Sequence, residues 1–315
     1  MSAQRGGWIN FAALVLVNLL WAAQYPAYKI AGDNMEPAAL NFWTLVFASL
    51  LLLPLWLRER SKHKAEIKPF QWKTLREYCL LGVLGILPPS VMLTWGIAHS
   101  SASNAAILSL TIPVLMTGLG IVMLGEKLTI MRGLCLILGV IGTLLISAND
   151  LANASFNRSL LLGNFVLLLA GLGSAFYNTY SKDLLSRYSE LQVLLYSYVV
   201  AIAGCAIISA GYESKPFYRI TGYSSATWLA VAVLGVLSWG VAMILWMWVL
   251  NRLEVGQVST SIYLLPLFGL ILSVVTVHDR ITLPQLIGGA LTVAGTGALT
   301  LYEGRRTAQL TAGAE

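Results

Sequence analysis

The sequence predicts an all-α integral membrane protein with ten transmembrane helices, arranged as two inverted five-helix repeats around a central cavity. Three observations predict this fold: a composition too apolar for a soluble domain, ten apolar segments of membrane-spanning length, and an internal repeat. Of the 315 residues, 57% are hydrophobic and 11% are charged, and the mean hydropathy is +0.74. Soluble domains are about 45–50% apolar and about 25% charged. The composition therefore argues against a soluble enzyme, a nucleic-acid-binding protein and a disordered chain.

Each predicted span has the roughly 20 mostly apolar residues that a helix needs to cross about 30 Å of hydrocarbon. The first of these runs contains Asn18, Gln24 and Tyr25 and lacks a small-residue cleavage site, so we interpret it as a span rather than a signal peptide. The ten spans are predicted near residues 9–30, 38–57, 77–98, 102–124, 130–148, 160–181, 191–210, 226–250, 257–277 and 283–302.

The distribution of basic residues predicts that both termini are cytoplasmic. With this orientation, 15 of the 20 lysine and arginine residues fall on the cytoplasmic side and 5 on the other side, as the positive-inside rule requires. The largest basic cluster lies between Arg58 and Arg76, and we interpret it as an orientation signal; a nucleic-acid or lipid-headgroup site is the alternative. We therefore expect a multi-pass protein of a bacterial inner membrane.

An internal repeat is visible when the sequence is compared with itself at a shift of 153 residues, where residues 80–143 align on residues 233–296 without a gap. Leucine and valine often coincide by chance in so apolar a chain, but a matched tryptophan, proline, charged pair and Gly-Thr in constant register do not. The matched residues are Trp95 and Trp248, Pro113 and Pro266, Thr129 and Thr282, Glu126-Lys127 and Asp279-Arg280, and Gly142-Thr143 and Gly295-Thr296.

The repeat predicts how the chain is organised and inserted. Each half holds five spans, an odd number, so the second half must insert upside down relative to the first. In transporters built in this way, the two halves open alternately to the two sides of the membrane around a site near its midplane. The predicted units are a first repeat over residues 1–150, a second repeat over 151–306 and a disordered C-terminal tail over 307–315.

Several short motifs occur along the chain, namely Leu20-Trp21 followed by Lys29-Ile30-Ala31, Ser101 to Ala106, Thr111-Ile112-Pro113-Val114, Leu124 to Thr129, Leu264-Leu265-Pro266 and Asp279 to Thr282. These motifs resemble those of the EamA-type carriers of the drug/metabolite transporter superfamily, and the resemblance covers about the whole chain. It implies a ten-helix, inverted-repeat carrier that moves small metabolites and often exports amino acids or related compounds.

The predicted membrane interior contains no carboxylate, because all fourteen aspartate and glutamate residues lie in loops or at span ends. Intramembrane carboxylates are the usual proton or sodium relays, so their absence argues against a carboxylate-driven antiporter. The three histidines, His63, His99 and His278, are scattered and do not have the spacing of a metal site. We therefore expect no catalytic residues, no metal and no cofactor, and a protein that is not an enzyme.

Uncharged polar and aromatic residues remain as candidates for a substrate site. In the first span, Asn18, Trp21, Tyr25 and Tyr28 recur at helical spacing and share one face. Because an unpaired polar group in hydrocarbon costs several kcal/mol, such a face must contact protein or a water-filled cavity. Hydrogen bonding to a neighbouring helix is the alternative interpretation for each residue. The predicted substrate-binding residues are Asn18, Trp21, Gln24, Tyr25, Trp95, Asn104, Tyr177, Tyr180, Trp239, Trp246 and Tyr263.

Two prolines at equivalent positions of the repeats, Pro113 and Pro266, are predicted to act as hinges. Each removes one hydrogen bond of its helix and loosens the helix at that point. The alternative is a static kink that serves packing.

These features predict a secondary transporter that moves a small organic metabolite, an amino acid or a related amphipathic compound, by alternating access, with export as the expected direction. No G-x-x-x-x-G-K-[ST] motif for ATP binding occurs. The alternatives are a nucleotide-sugar or lipid-linked-sugar translocator and an integral membrane enzyme. The expected partners are a small-molecule substrate and membrane lipid, without nucleic acid, and the chain is expected to be a monomer or a homodimer.

Overall fold

The computed structural model describes residues 2–62, 72–99, 108–146, 161–277 and 282–312, and within these ranges every regular element is helical. The helices follow the ten predicted spans and are numbered α1 to α10. They comprise α1 (Ser2–Ala22 and Gln24–Gly32), α2 (Pro37–Lys62), α3 (Trp72–Leu80, Leu81–Ile86, Pro88–Met92 and Leu93–Ala98), α4 (Thr111–Leu124), α5 (Ile130–Ile146), α6 (Leu161–Leu185), α7 (Glu190–Tyr212), α8 (Ser225–Val233, Leu234–Ala242 and Met243–Arg252), α9 (Val255–Ser259, Thr260–Tyr263 and Leu264–Val277) and α10 (Leu283–Ala312).

Five of these helices are long and apolar enough to cross a membrane, namely α2, α3, α6, α7 and α8, and α1, α4 and α5 contain shorter apolar helices. Side chains at the helix ends explain several of the boundaries. Ser189 and Ser224 accept hydrogen bonds from the backbone N–H groups three residues later and so begin α7 and α8. Gly125 ends α4 in a left-handed conformation with φ of 69°, which glycine adopts without strain.

The third helix of each repeat is interrupted at the same place. A π-helical stretch begins at Leu81 in α3 and at Leu234 in α8, which are 153 residues apart. π-Helical turns are rare and are frequent at functional sites. The interruption is therefore a property of the repeated unit and not of one half.

The close contacts between helices repeat with the same shift of 153 residues. A Cβ atom added to Gly82 of α3 would lie 2.7 Å from the side chain of Val200 on α7. A Cβ atom added to Gly235 of α8 would lie 2.5 Å from Phe47 on α2. Since 47 and 200 differ by the same 153 residues as 82 and 235, α3 crosses α7 as α8 crosses α2. A pseudo-two-fold axis therefore relates the halves.

The two halves are interlaced rather than placed side by side. Helix α1 packs on α8, α9 and α10, and α6 packs on α3 and α4. Helix α2 packs on α7 and α8, and α5 packs on α10. The principal partners of each helix therefore lie in the other repeat.

Glycines in α5 and α10 allow these two helices to pack closely within one chain. A Cβ atom added to Gly142 would lie 2.7 Å from the carbonyl oxygen of Gly288, and one added to Gly295 would lie 3.4 Å from the carbonyl oxygen of Cys135. These two contacts are again repeat equivalents. The small residues of α5 and α10 thus serve packing inside the monomer, as small residues do in many membrane helices.

Both ends of the described chain lie at the same end of the bundle, because a Cβ atom added to Gly7 would lie 3.7 Å from the side chain of Leu301. We call this end the terminal face and the other end the distal face. Helix α10 continues to Ala312, six residues into the segment for which the sequence analysis expects a disordered tail. Residues 305–312 contain neither glycine nor proline to end the helix.

Candidate functional site

Two tryptophans meet in the interior of the bundle, between α1 and α8, next to α6. The rings of Trp21 and Trp246 have centroids 4.9 Å apart and an interplanar angle of 51°. Trp246 is buried, and its indole Nε1 donates to Oδ1 of Asn178 at 2.6 Å. The indole of Trp21 donates to the carbonyl oxygen of Ser238 at 3.3 Å. We call Trp21, Trp246 and Asn178 the central cluster.

Asn18 lies one helical turn before Trp21 on α1 and is completely buried. Its Nδ2 donates to the carbonyl oxygen of Leu14 at 2.8 Å, whereas its Oδ1 has no hydrogen-bond partner within the described part of the chain. A buried polar atom without a partner costs about 1–3 kcal/mol, so such atoms call for an explanation. The amide oxygen of Asn18 can therefore accept a further hydrogen bond.

Trp239 is held between three helices, closer to the distal face. Its Nε1 donates to the hydroxyl of Tyr28 on α1 at 3.0 Å, and its carbonyl oxygen accepts from the hydroxyl of Tyr198 on α7 at 2.7 Å. The indole of Trp239 thus links the first repeat to the second. These bonds fix its orientation.

The two predicted tyrosines of α6 have different environments. Tyr177 is buried and packs on Gly85 of α3, where an added Cβ atom would lie 3.0 Å from the tyrosine ring. Tyr180 is half-buried and stacks on Phe176, with ring centroids 5.3 Å apart. Asn178 lies between them in sequence and supplies the polar partner of the central cluster, although it is not among the predicted site residues.

Tyr263 lies on the pseudo-two-fold axis. Its hydroxyl is 3.4 Å from the carbonyl oxygen of Leu110, the residue 153 positions earlier. Its ring packs on Gly139 of α5, which leaves room for it because glycine has no side chain. Tyr263 therefore stands where the two repeats meet rather than in the central cluster.

The other predicted site residues are dispersed. Gln24 begins the second segment of α1 and is half-buried. Trp95 stacks on His99 near the distal end of α3, with centroids 3.7 Å apart, away from the central cluster. Asn104 and the side chain of Tyr25 lie outside the described residues.

Pro113 and Pro266 each lie in the first turn of a helical segment, after a break in the span. Pro266 follows the 3-10 turn Thr260–Tyr263, and Pro113 is the third residue of α4. In a first turn the missing proline N–H breaks no helical hydrogen bond. The hinge role of both prolines stays a prediction.

A carboxylate joins the two repeats at the terminal face. The side chain of Glu126, in the turn after α4, accepts hydrogen bonds from the backbone N–H groups of Val255 at 2.5 Å and Gly256 at 2.9 Å. These N–H groups begin α9 and have no partner within that helix. Arg132 lies 3.9 Å from Glu126 and forms an ion pair with Glu254. We call this arrangement the α4–α9 latch.

The electrostatics of the latch have two opposing contributions. Burial raises the pKa of the Glu126 carboxyl above its ordinary value, and Glu254 raises it further. The backbone N–H groups of Gly256 and Val255 and the charge of Arg132 lower it, by less than burial raises it. The latched carboxyl therefore binds a proton more readily than an exposed glutamate does.

A second ionic contact at the terminal face joins α3 to the turn between α6 and α7. Arg187 pairs with Glu77 and with Asp183, each at 2.6 Å, and the hydroxyl of Tyr188 donates to Glu77 at 3.2 Å. Glu77 is buried in spite of its charge, and burial of an unpaired carboxylate is costly. The pairing accounts for its place at the end of a span.

The distal face is closed by a comparable contact. Glu213, after α7, accepts hydrogen bonds from the backbone N–H groups of Ala38 and Ala39 at the beginning of α2, at 2.5 and 2.9 Å. Carboxylates from one repeat therefore cap helices of the other at both faces. Within the described ranges, no group of three or more His, Cys, Asp or Glu residues is arranged to hold a metal ion.

The interlaced helical repeats, with helices long and apolar enough to cross a membrane, are those of a polytopic membrane protein. The sequence profile of the EamA-like transporter family matches residues 8–148 and again 161–301, so the chain belongs to this family. The two matches confirm the predicted family, and with the helical structure they confirm the fold of two five-helix repeats.

The chain is similar over almost its whole length to several transporters. It is 28% identical over 293 residues to the "Probable terminal-alkyne amino-acid exporter" of Streptantibioticus cattleyicolor, covering 90% of each chain. It is 23% identical over 298 residues to the "Uncharacterized transporter YoaV" of Bacillus subtilis, covering 93% of this chain and 97% of that one. A solved crystal structure with 18% identity superposes with a TM-score of 0.77 over 95% of this chain and 98% of the other, which shows the same fold.

Proposed function

We propose that the protein exports an amino acid or a related amphipathic compound across a bacterial inner membrane by alternating access, with both termini in the cytoplasm. The observation that carries the proposal is the central cluster, because its side chains come from both repeats. Trp21 belongs to the first repeat, and Trp246 and Asn178 belong to the second. A movement of one repeat against the other therefore changes the site directly.

The chemistry of the central cluster suits a compound with an ammonium group and an apolar part. Aromatic rings attract cations at their faces and stack with planar or apolar groups. The unpaired Oδ1 of Asn18, one turn away from Trp21, is an acceptor for an N–H donor. The similarity to a protein named as an amino-acid exporter supports the same substrate class.

The orientation and the contacts at the two faces suggest how the transport cycle proceeds. The bias of 15 to 5 basic residues supports an orientation with the terminal face in the cytoplasm. Substrate then enters after the α4–α9 latch opens, and leaves after the contact of Glu213 with α2 opens. In the structure both contacts are made.

Flux through proteoliposomes tests the proposal. The purified chain is reconstituted, and efflux of a panel of labelled amino acids is measured for the wild type, Trp21→Ala and Asn178→Ala. A matched control is Trp43→Ala, because Trp43 lies at the distal face and donates to the carbonyl oxygen of Phe217. We expect saturable flux of at least one amino acid, reduced at least tenfold in the two cluster variants and retained in the control.

Other outcomes would identify the alternatives. Chemical conversion of a substrate without net flux would favour an integral membrane enzyme. Flux of nucleotide sugars or lipid-linked sugars, with none of any amino acid, would favour the translocator interpretation. Equal flux in the wild type and both cluster variants would refute the assignment of the central cluster.

A further inference from the structure

A groove of about 530 Å³ lies between α2 and α8 at the terminal face, bordered by the beginning of α7. Its wall is apolar and is formed by Leu55, Leu191, Ile244 and Trp248. Side chains of both charges stand along it at the end of α2 and the beginning of α7. An apolar wall beneath charged groups, at the depth where a span ends, matches the two parts of a phospholipid.

The groove follows from the way in which α2 and α8 cross. A Cβ atom added to Gly240 would lie 2.7 Å from Leu51, so the two helices are in close contact at this level. One turn closer to the terminal face, Ile244 and Leu55 occupy the corresponding positions, and both are bulky. The helices therefore diverge beyond Gly240 and leave the groove open.

Two cations, Arg58 and Lys62, line the charged end of the groove, and a third, Arg252, lies beside it. Arg58 and Lys62 are exposed and lie one turn apart on the same side of α2. On α8, the guanidinium of Arg252 lies 3.9 Å from the ring centroid of Trp248. Cations at the end of a span interact favourably with anionic lipid headgroups, by about 1 kcal/mol for each lysine or arginine.

The two carboxylates that border the groove already have hydrogen-bond donors within the chain. Glu59 accepts from the hydroxyl of Ser189 at 3.0 Å, and Glu190 accepts from the amide of Asn251 at 2.9 Å. These contacts turn both carboxylates towards α7 and α8. Both carboxylates keep their charge, but with Arg252, which lies beside the lining residue Trp248, three cations stand against two carboxylates at this end.

The pseudo-symmetry of the chain provides a comparison for this charge pattern. The repeat equivalents at the distal face keep the tryptophan, as Trp95, but Gly211 stands where α2 has Arg58. The equivalent of Arg252 is His99, which stacks on Trp95. The aromatic part is thus common to both repeats. Of the three cations, Arg58 and Arg252 have no lysine or arginine equivalent at the distal face, whereas Lys62 has Lys215.

We propose that this groove binds an anionic phospholipid from the leaflet at the terminal face. The phosphate lies at Arg58 and Lys62, and one acyl chain follows the wall formed by Leu55, Leu191 and Ile244. The acyl chain covers apolar surface between α2 and α8, and the phosphate satisfies the two exposed cations. The site is separate from the central cluster and does not depend on which compound is transported.

Lipid-dependent thermal unfolding of the full chain tests the proposal. Detergent-solubilised protein is titrated with dioleoyl-phosphatidylglycerol, with dioleoyl-phosphatidylcholine and with soluble glycerol phosphate, and lipid adducts are counted by native mass spectrometry. The variants are Arg58→Gln/Lys62→Gln, which removes the headgroup contacts, and Leu191→Trp, which fills the groove and keeps the cations. The control is Lys215→Gln, which removes the repeat equivalent of Lys62 at the distal face.

We expect phosphatidylglycerol to raise the unfolding temperature and to bind more tightly than phosphatidylcholine in the wild type and in the control. Arg58→Gln/Lys62→Gln should bind phosphatidylglycerol about 30-fold more weakly, because it removes two cations worth about 1 kcal/mol each. Leu191→Trp should also lose the phosphatidylglycerol adduct. Equal binding of both lipids, unchanged selectivity in the double variant, or an equal effect of glycerol phosphate alone would overturn the proposal.

Discussion

The α4–α9 latch predicts that Glu126→Ala opens the terminal face. The substitution removes the acceptor of two backbone N–H groups, those of Val255 and Gly256, which are buried while the latch is closed. At about 1 kcal/mol for each unsatisfied N–H, the low end of the known range, the closed state loses about 2 kcal/mol. When the face opens, water hydrates both groups. The equilibrium should therefore shift about 30-fold towards the open state.

The accessibility of a buried residue behind the latch measures this shift. Ser259 is fully buried on α9, and its hydroxyl lies 3.1 Å from that of Thr117 on α4. A Ser259→Cys reporter in a Cys79→Ser background should react with a membrane-impermeant maleimide about 30-fold faster when Glu126 is alanine. Cys135 and Cys205 are buried and should contribute little to the labelling.

Two controls show whether the latch itself is responsible. Glu126→Gln keeps an acceptor oxygen and should label no faster than the wild type. Glu190→Ala removes a carboxylate at the same face whose bond to Asn251 is exposed, and it should not change the rate. If Glu126→Ala also labelled at the wild-type rate, the contact with α9 would have no part in closing the face.

Three further predictions concern the same structure. Burial raises the pKa of Glu126 in the latch, so the closed state binds the proton more tightly than the open state. The rate of maleimide labelling, normalised to that of unfolded protein, should therefore fall as the pH falls through the raised pKa, and stop changing below the pKa of an exposed glutamate. The pH dependence should be absent in Glu126→Gln. Gly235→Ala places a Cβ atom 2.5 Å from Phe47 and should lower stability by about 1–3 kcal/mol in unfolding by denaturant, whereas Gly118→Ala, with nothing within 4 Å, should not. Asn178→Ala leaves the buried indole N–H of Trp246 without an acceptor and should lower the free energy of unfolding by about 1–3 kcal/mol. An unchanged unfolding midpoint would show that the bond between Trp246 and Asn178 contributes nothing to stability.

The sequence predicted the spans and the repeat because both depend on properties that single residues carry. Hydropathy reports the apolar length of a segment, and the constant shift of 153 residues reports equivalent packing. Gly82 and Gly235 lie in matching crossings for this reason. The register of the repeat alignment therefore contains information about tertiary packing.

The polar contacts of the site could not be predicted in the same way. The bond between Trp246 and Asn178 depends on how α6 and α8 are rotated about their axes, which an apolar helix pattern does not specify. The charged pair at Glu126 indicated a polar turn, but the helix that its carboxylate caps begins 129 residues later in the chain. The π-helical stretches also have no signal in hydropathy.

The interlacing of the two halves has a consequence for how the protein is made. Helix α1 finds its principal neighbours in α8, α9 and α10, which the ribosome synthesises last. Until then, the first five spans stay in the bilayer without their proper neighbours. Assembly of the bundle must therefore wait for the second half, and a chain truncated after the first repeat should be degraded rather than accumulate. Supplying the missing half as a separate polypeptide should rescue it.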